Sequence, residues 1–88
     1  MSMRDSNLLE SFETVKPEYG GIQYVYKFKN GYGASVIKHK YSYGGKKGLW
    51  ELALLKGDDL HYNSDYPDVK GHLNDPEVDN ELKYIANY

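Results

Sequence analysis

The sequence predicts an α+β fold: a three-stranded antiparallel β-meander, with room for a short fourth strand, and an N-terminal and a C-terminal helix packed on its aromatic face. Three observations carry this expectation. From Ile22 to Phe28 two interleaved sets of side chains alternate along the chain, which is the two-residue period of a strand. Asn30-Gly31 and the glycine-lysine stretch at 44–47 then divide a run of strand-type residues that continues to Lys56, and Asn-Gly is the strongest short hairpin signal known. Finally, Asn74 with Glu77 three residues on has the spacing of a capping box, which opens a helix.

Taken in chain order, Leu8, Phe12 and Val15 fall at helical spacing with Leu9 alongside. Ser6 is available as an N-cap, and Pro17 pushes Lys16 toward extended angles and so stops the element. The spacing predicts a helix over residues 6–15, with residues 1–5 frayed. From Gly21 the period changes: Ile22, Tyr24, Tyr26 and Phe28 share one side, and Gln23, Val25, Lys27 and Lys29 the other. A type I′ turn centred on Asn30-Gly31 would hold both residues at positive φ. It would set Lys29 opposite Tyr32, Lys27 opposite Ala34, Val25 opposite Val36 and Tyr24 opposite Ile37. A second turn centred on Gly45-Lys46 would pair Tyr43 with Gly48, Tyr41 with Trp50, His39 with Leu52 and Ile37 with Leu54. It would also set Lys40 against Glu51, the only acid between residues 22 and 56.

These registers place Ile22, Tyr24, Tyr26, Phe28, Ile37, His39, Tyr41, Trp50, Leu52 and Leu54 on one face. The other face would carry Val25, Tyr32, Ala34, Val36, Ala53 and Leu55, surrounded by Lys27, Lys29, Lys38 and Lys40. Downstream, Gly57-Asp58-Asp59 reads as a turn, 60–63 as a short edge strand, 64–67 as a loop and 68–73 as one helical turn. In the last helix Val78, Leu82 and Ile85 form the apolar stripe, with Leu73 and Val78 placed as a hydrophobic staple. Asp75, Glu77 and Asp79 complement the positive end of that helix.

Length and charge narrow the class. A chain of 88 residues is expected to form one small domain (residues 1–88), burying about 60–65% of the surface its unfolded form exposes. An aromatic fraction of 15% is too high for a disordered tail. The absence of cysteine excludes a disulfide framework and a thiolate zinc site. No apolar run is long enough to span a bilayer, and no signal-peptide core follows Met1–Arg4, so a soluble, cytoplasmic protein without membrane attachment is expected. Charge is uneven: about −2 over residues 1–21, +6 over 22–56 and −6 over 57–88, for a net −2.

The motifs that could carry chemistry have plainer readings. Gly31 and Gly33 follow a strand but precede another strand, and 44–48 lacks phosphate-loop spacing, so these are turn glycines. His39, His61 and His72 show no ligand spacing. Asp58, Asp59, His61, Asp65 and Asp68 form an acidic loop without EF-hand geometry. No serine lies in a nucleophile elbow or is set against a histidine, and Glu51 reads as the ion-pair partner of Lys40. No enzymatic activity, cofactor or metal is expected. The basic, tyrosine-bearing face is the remaining candidate surface: Lys27, Lys29, Tyr32, Lys38 and Lys40. Lysines beside an aromatic ring suit single-stranded nucleic acid. Against that stand the lack of an RNP-like sequence, the single arginine at Arg4 and the edge-protecting role of lysines on sheets.

Asn30-Gly-Tyr-Gly-Ala-Ser-Val-Ile37, His39, Ser42-Tyr-Gly-Gly45 and Gly48-Leu-Trp-Glu-Leu-Ala53 resemble a family of short tailed-bacteriophage proteins of unassigned activity. In that family an NGYGASV hairpin precedes a SYGG…GLWELAV strand and an acidic C-terminal helix. The similarity covers residues 19–56 well and 65–85 more loosely; Leu54 and Leu55 stand where smaller β-branched residues are usual, and residues 1–18 match nothing in the pattern. The resemblance implies a phage origin and the host-cell cytoplasm, and brings no catalytic residues. The expectation is a small non-enzymatic phage protein that binds a host or phage protein, as host-modulating accessory proteins do. The alternatives are a weak single-stranded nucleic-acid binder and a structural homodimer.

Overall fold

The computed structural model describes residues 6–17, 20–42, 44–57, 59–60 (backbone) and 69–88. These form strands β1 (Leu9–Val15), β2 (Ile22–Phe28), β3 (Tyr32–Lys38), β4 (Trp50–Lys56), β5 (Asp59–Leu60) and β6 (Val69–Leu73), followed by helix α1 (Asp75–Ala86). All pairings are antiparallel, in the order β1-β2-β3-β4-β5, with β6 also paired to β4. β5 takes the Leu55–Lys56 end of β4 and β6 its Trp50–Ala53 end. The expected three-stranded meander is therefore a four-stranded one, extended by two short strands along a shared edge. Residues 61–63 of the expected edge strand, and residues 1–5, lie outside the described residues.

The expected N-terminal helix is a strand. Ser6 does accept a backbone N–H, from Leu8 at 3.1 Å, but the turn it forms opens into β1. The helical spacing of Leu9 and Phe12 has another cause. A bulge between Leu9 and Ser11 puts Leu9 opposite Phe28 and Phe12 opposite Tyr26. An extra residue in a strand restores both side chains to one face despite a separation of three. Phe12 then packs on Tyr24 and Tyr26, with ring centroids 5.5 and 5.1 Å apart. The bulge, with Glu10 and Glu13, also protects β1 as an exposed edge.

The β2–β3 turn is one residue longer than Asn30-Gly31 predicts. Gly31 N–H donates to Phe28 O at 3.1 Å, and Gly31 alone in the turn has positive φ, at 88°. This is the three-residue loop in which a left-handed glycine closes the hairpin. Asn30 is committed elsewhere: its Oδ1 accepts from Tyr32 N–H at 2.9 Å, and its Nδ2 donates to Ile85 O at 2.8 Å and Ala86 O at 3.3 Å. It thus caps the C-terminal carbonyls of α1 from more than fifty residues away, and this tertiary bond overrides the local turn preference. Asn30→Ala should destabilise the domain by about 1–2 kcal/mol. Asn30→Asp should cost at least as much, because a carboxylate donates nothing and meets the negative helix end. Thermal midpoints, with faster amide exchange confined to the last turn of α1, check this.

The longer turn sets Tyr24 opposite Val36 and Tyr26 opposite Ala34. In the next hairpin Val36 faces Leu52 and Ala34 faces Leu54. β3 is therefore turned over relative to expectation: Tyr32, Ala34 and Val36 point to the helix side and Ile37 away from it. The second turn is also longer, with β3 ending at Lys38 and β4 starting at Trp50. Ile37, not Lys40, stands opposite Glu51. His39 lies in the connection rather than opposite Leu52, its Nδ1 accepting from Tyr41 N–H at 2.9 Å. Residues 69–73, expected as a helical turn, are β6. Between Lys70 and Leu73 that strand carries an extra residue, and His72 adopts φ 58° there.

Helix α1 begins as expected. Asn74 Oδ1 accepts from Glu77 N–H and Glu77 Oε1 accepts from Asn74 N–H, both at 2.9 Å. Val78, Leu82, Ile85 and Ala86 are buried against Tyr26, Phe28, Ala34, Val36, Trp50, Leu52, Leu54 and Leu73. The helix thus covers the aromatic side of the sheet. Trp50 Nε1 donates to Asp75 Oδ1 at 2.8 Å, and Lys70 pairs with Glu81 at 2.7 Å, tying β4 to the start of the helix and β6 to its middle.

Candidate functional site

With α1 on one side, the strand registers define what the other side of the sheet presents. Three rows cross it: Val15, Gln23, Ile37, Glu51; then Glu13, Val25, Ser35, Ala53, Val69; then Ser11, Lys27, Gly33, Leu55. Gln23 Nε2 donates to Ser35 Oγ at 2.8 Å along this face. Leu55 is itself buried, whereas Val15, Val25, Ile37 and Ala53 are half-buried and Val69 is exposed. The result is a surface of separated aliphatic side chains set among Gln, Ser, Glu and Lys, and no helix of the described residues packs on it.

The five residues of the expected basic face do not share a face. Lys27 points to the open side. Lys29 lies in the β2–β3 turn. Tyr32 is on the helix side, its ring 4.8 Å from that of Tyr88, with the Lys56 ammonium 5.7 Å above it. Lys38 is also on the helix side, its ammonium 4.2 Å from the Trp50 ring. Lys40 sits in the β3–β4 connection, 5.0 Å from the Tyr41 ring. Turning β3 over moves Tyr32 and Lys38 away from Lys27, and the two longer turns leave Lys29 and Lys40 outside the strands.

The lysines gather instead at the ends of the strands. At one end the rings of Tyr32, Tyr84 and Tyr88 contact one another with the Lys56 ammonium over Tyr32, and Lys29 in the turn and Lys83 in the last turn of α1 are exposed at the same end. Asn30 bonds the turn to α1 at this end. At the other end the 39–49 connection carries Lys40, Lys46 and Lys47, all exposed, and Tyr41, which is 64% exposed. Lys38 adjoins it, and no acid occurs from 38 to 50. Sequence reasoning passed over Lys46, Lys47 and the Tyr84–Tyr88 pair. The first two were taken up by a turn assignment, and the tyrosines belong to a helix whose C-terminal partners only the fold reveals.

The acidic segment from Asp58 to Asp68 lies outside the described residues apart from the backbone of Asp59 and Leu60. Among the described residues there is no group of three or more histidines, cysteines or carboxylates placed to hold a metal ion. No helix of these residues is long and apolar enough to cross a membrane. No protein-family model matches the chain, and no curated protein or solved structure matches it either.

Proposed function

We propose that the chain is a small non-enzymatic protein of tailed-bacteriophage origin that acts in the host cytoplasm by docking a host or phage protein on the open face of its sheet. The observation that carries this reading is that, among the described residues, only one side of the sheet is packed by a helix. Helix α1 takes the aromatic side, while Val15, Val25, Ile37, Ala53 and Val69 stay at least partly accessible on the other. Protein interfaces mix apolar and polar groups in this manner, with an apolar share close to that of ordinary protein surface. The partner this face fits is a protein surface with an apolar centre and a polar rim able to meet Glu13, Glu51 and Lys27. The phage origin and cellular setting rest on the resemblance of residues 19–56.

The test is co-purification from infected cells with three proteins: the natural chain, Val25→Glu/Ile37→Glu, and Asn80→Lys on the exposed side of α1. The captured protein, identified and purified, should rebind the natural chain and the Asn80 variant. It should lose at least about tenfold in affinity for the open-face variant, as truncation or charging of a contact centre does. The Asn80 variant should keep the thermal midpoint of the natural chain, while the open-face variant, which sets glutamates opposite Glu13 and Glu51, should lose several degrees and still fold cooperatively. Undiminished binding by the open-face variant overturns the proposal, as does a two-fold mass by light scattering that this variant abolishes, since the occupant would then be a second copy.

A further inference from the structure

We propose that the described residues of the β3–β4 connection, 39–42 and 44–49, bind single-stranded nucleic acid, with Lys40, Lys46 and Lys47 meeting phosphates and Tyr41 stacking on a base. This surface is separate from the open face of the sheet, and the two proposals stand or fall independently.

The connection is built rather than slack. His39 O accepts from Ser42 N–H at 3.1 Å and from Ser42 Oγ at 2.9 Å, and His39 N–H donates to Ser42 Oγ at 3.0 Å. Gly45 N–H donates to Ser42 O at 3.0 Å, and Leu49 N–H donates to Gly44 O at 2.9 Å. A 3-10 turn over Gly45–Lys47 is flanked by Gly44 and Gly48 at φ 84° and 74°. Its N-terminal end needs glycine for lack of space. A Cβ at Gly45 would overlap His39 O, and one at Gly44 would come within 2.9 Å of His72 Cα. The described residues of the loop are thus seated on β6 and bonded to one another, which fixes where their side chains emerge and lowers the entropy lost when they bind.

What emerges is cationic and aromatic. Lys40, Lys46 and Lys47 are exposed, as is Tyr41, while Lys38 lies over Trp50. The positive N-terminal end of α1 lies at this end of the sheet, where Trp50 bonds to Asp75, and partly offsets the acids of the first helical turn. Lysine ammoniums alone would suit any polyanion. The exposed tyrosine ring beside Lys40 favours a nucleic acid, because each base offers a face to stack on and each phosphate a charge to neutralise. Gly48, with no atom within 4 Å of where a Cβ would stand, leaves bare backbone over which a strand can pass.

The experiment is fluorescence anisotropy with a 5′-labelled oligo-dT of twelve nucleotides. Three phosphate contacts predict roughly 20-fold weaker binding at 200 mM than at 50 mM salt, from a single-strand slope of about −0.7 per contact. Lys40→Gln/Lys46→Gln/Lys47→Gln should weaken binding at 50 mM salt at least about tenfold. Tyr41→Ala should weaken it about fivefold or more, and Tyr41→Phe should retain it. Lys29→Gln/Lys56→Gln/Lys83→Gln, at the opposite end, should bind as the natural chain does. Acetylation footprinting of the natural chain gives a readout independent of variant folding: the oligonucleotide should protect Lys40, Lys46 and Lys47 and leave Lys29 and Lys83 reactive. No binding at 50 mM salt, or protection centred on Lys29 and Lys83, overturns the proposal. So does equal binding of polyglutamate with no dependence on Tyr41, which would make the loop a site for acidic protein.

Discussion

Trp50→Ala should destabilise the domain by about 3–5 kcal/mol, the range for removing a large buried side chain. Trp50 is 6% exposed and joins the sheet to the start of α1. Its ring lies 5.7 Å from Tyr24 and 4.2 Å from the Lys38 ammonium, and its Nε1 donates to Asp75 at the start of α1. Removing it opens a cavity beneath Leu52 and Leu73 and frees the first helical turn. A small domain has a total stability of about 5–15 kcal/mol, so a large share would be lost. Trp50→Phe should keep most of the burial and lose mainly the hydrogen bond, about 1 kcal/mol. Urea denaturation followed by circular dichroism separates the two variants. Because Trp50 is the sole tryptophan, its fluorescence gives an independent check: blue-shifted when folded and red-shifted on unfolding. A midpoint for Trp50→Ala near that of the natural chain would mean that the side chain is not part of the core.

Val36→Lys should prevent folding or cost more than about 4 kcal/mol, while Ile37→Lys should cost about 1 kcal/mol or less. Val36 is wholly buried against Tyr24, Leu52 and the helix, where an ammonium has neither water nor a counterion. Ile37, one residue on, faces the open side beside Gln23 and Glu51, where a lysine remains hydrated. An Asn-Gly two-residue turn would reverse this order, since it directs Ile37 inward and Val36 outward. The same pair of urea curves therefore decides between the registers. Because adjacent strand residues alternate in direction, the two outcomes cannot both be mild.

Where the sequence could be read and where it could not follows from how far apart the deciding groups lie. The capping box of α1 was legible because Asn74 and Glu77 satisfy each other within one turn. Tyr26, Phe28, Trp50, Leu52 and Leu54 were placed in the core by strand alternation together with the two expected turn registers. β3 was inverted because its turn is set by a bond from Asn30 to Ile85 and Ala86, which no local window contains. The second turn was also misjudged, and by an odd number of residues like the first. The two errors cancel for β4, so its buried side was right although its partners were not. β1 was misread because a bulge gives Leu9 and Phe12 the separation of a helix. The candidate surface suffered most. Composition showed that lysines and tyrosines concentrate between residues 22 and 56, but their grouping depends on β3's facing and on a loop whose shape comes from Gly44 seated on His72.

The claim that the uncovered side of the sheet is the docking surface is tested most directly by position-resolved photocrosslinking in infected cells. A photoreactive phenylalanine analogue at Ile37 should form one dominant covalent adduct with a protein other than the chain itself. The same analogue at Tyr84, on the exposed helix side at the far end of the molecule, should form none. An adduct from Tyr84 and none from Ile37 would contradict the account and move the binding surface to the tyrosine-bearing end of the fold.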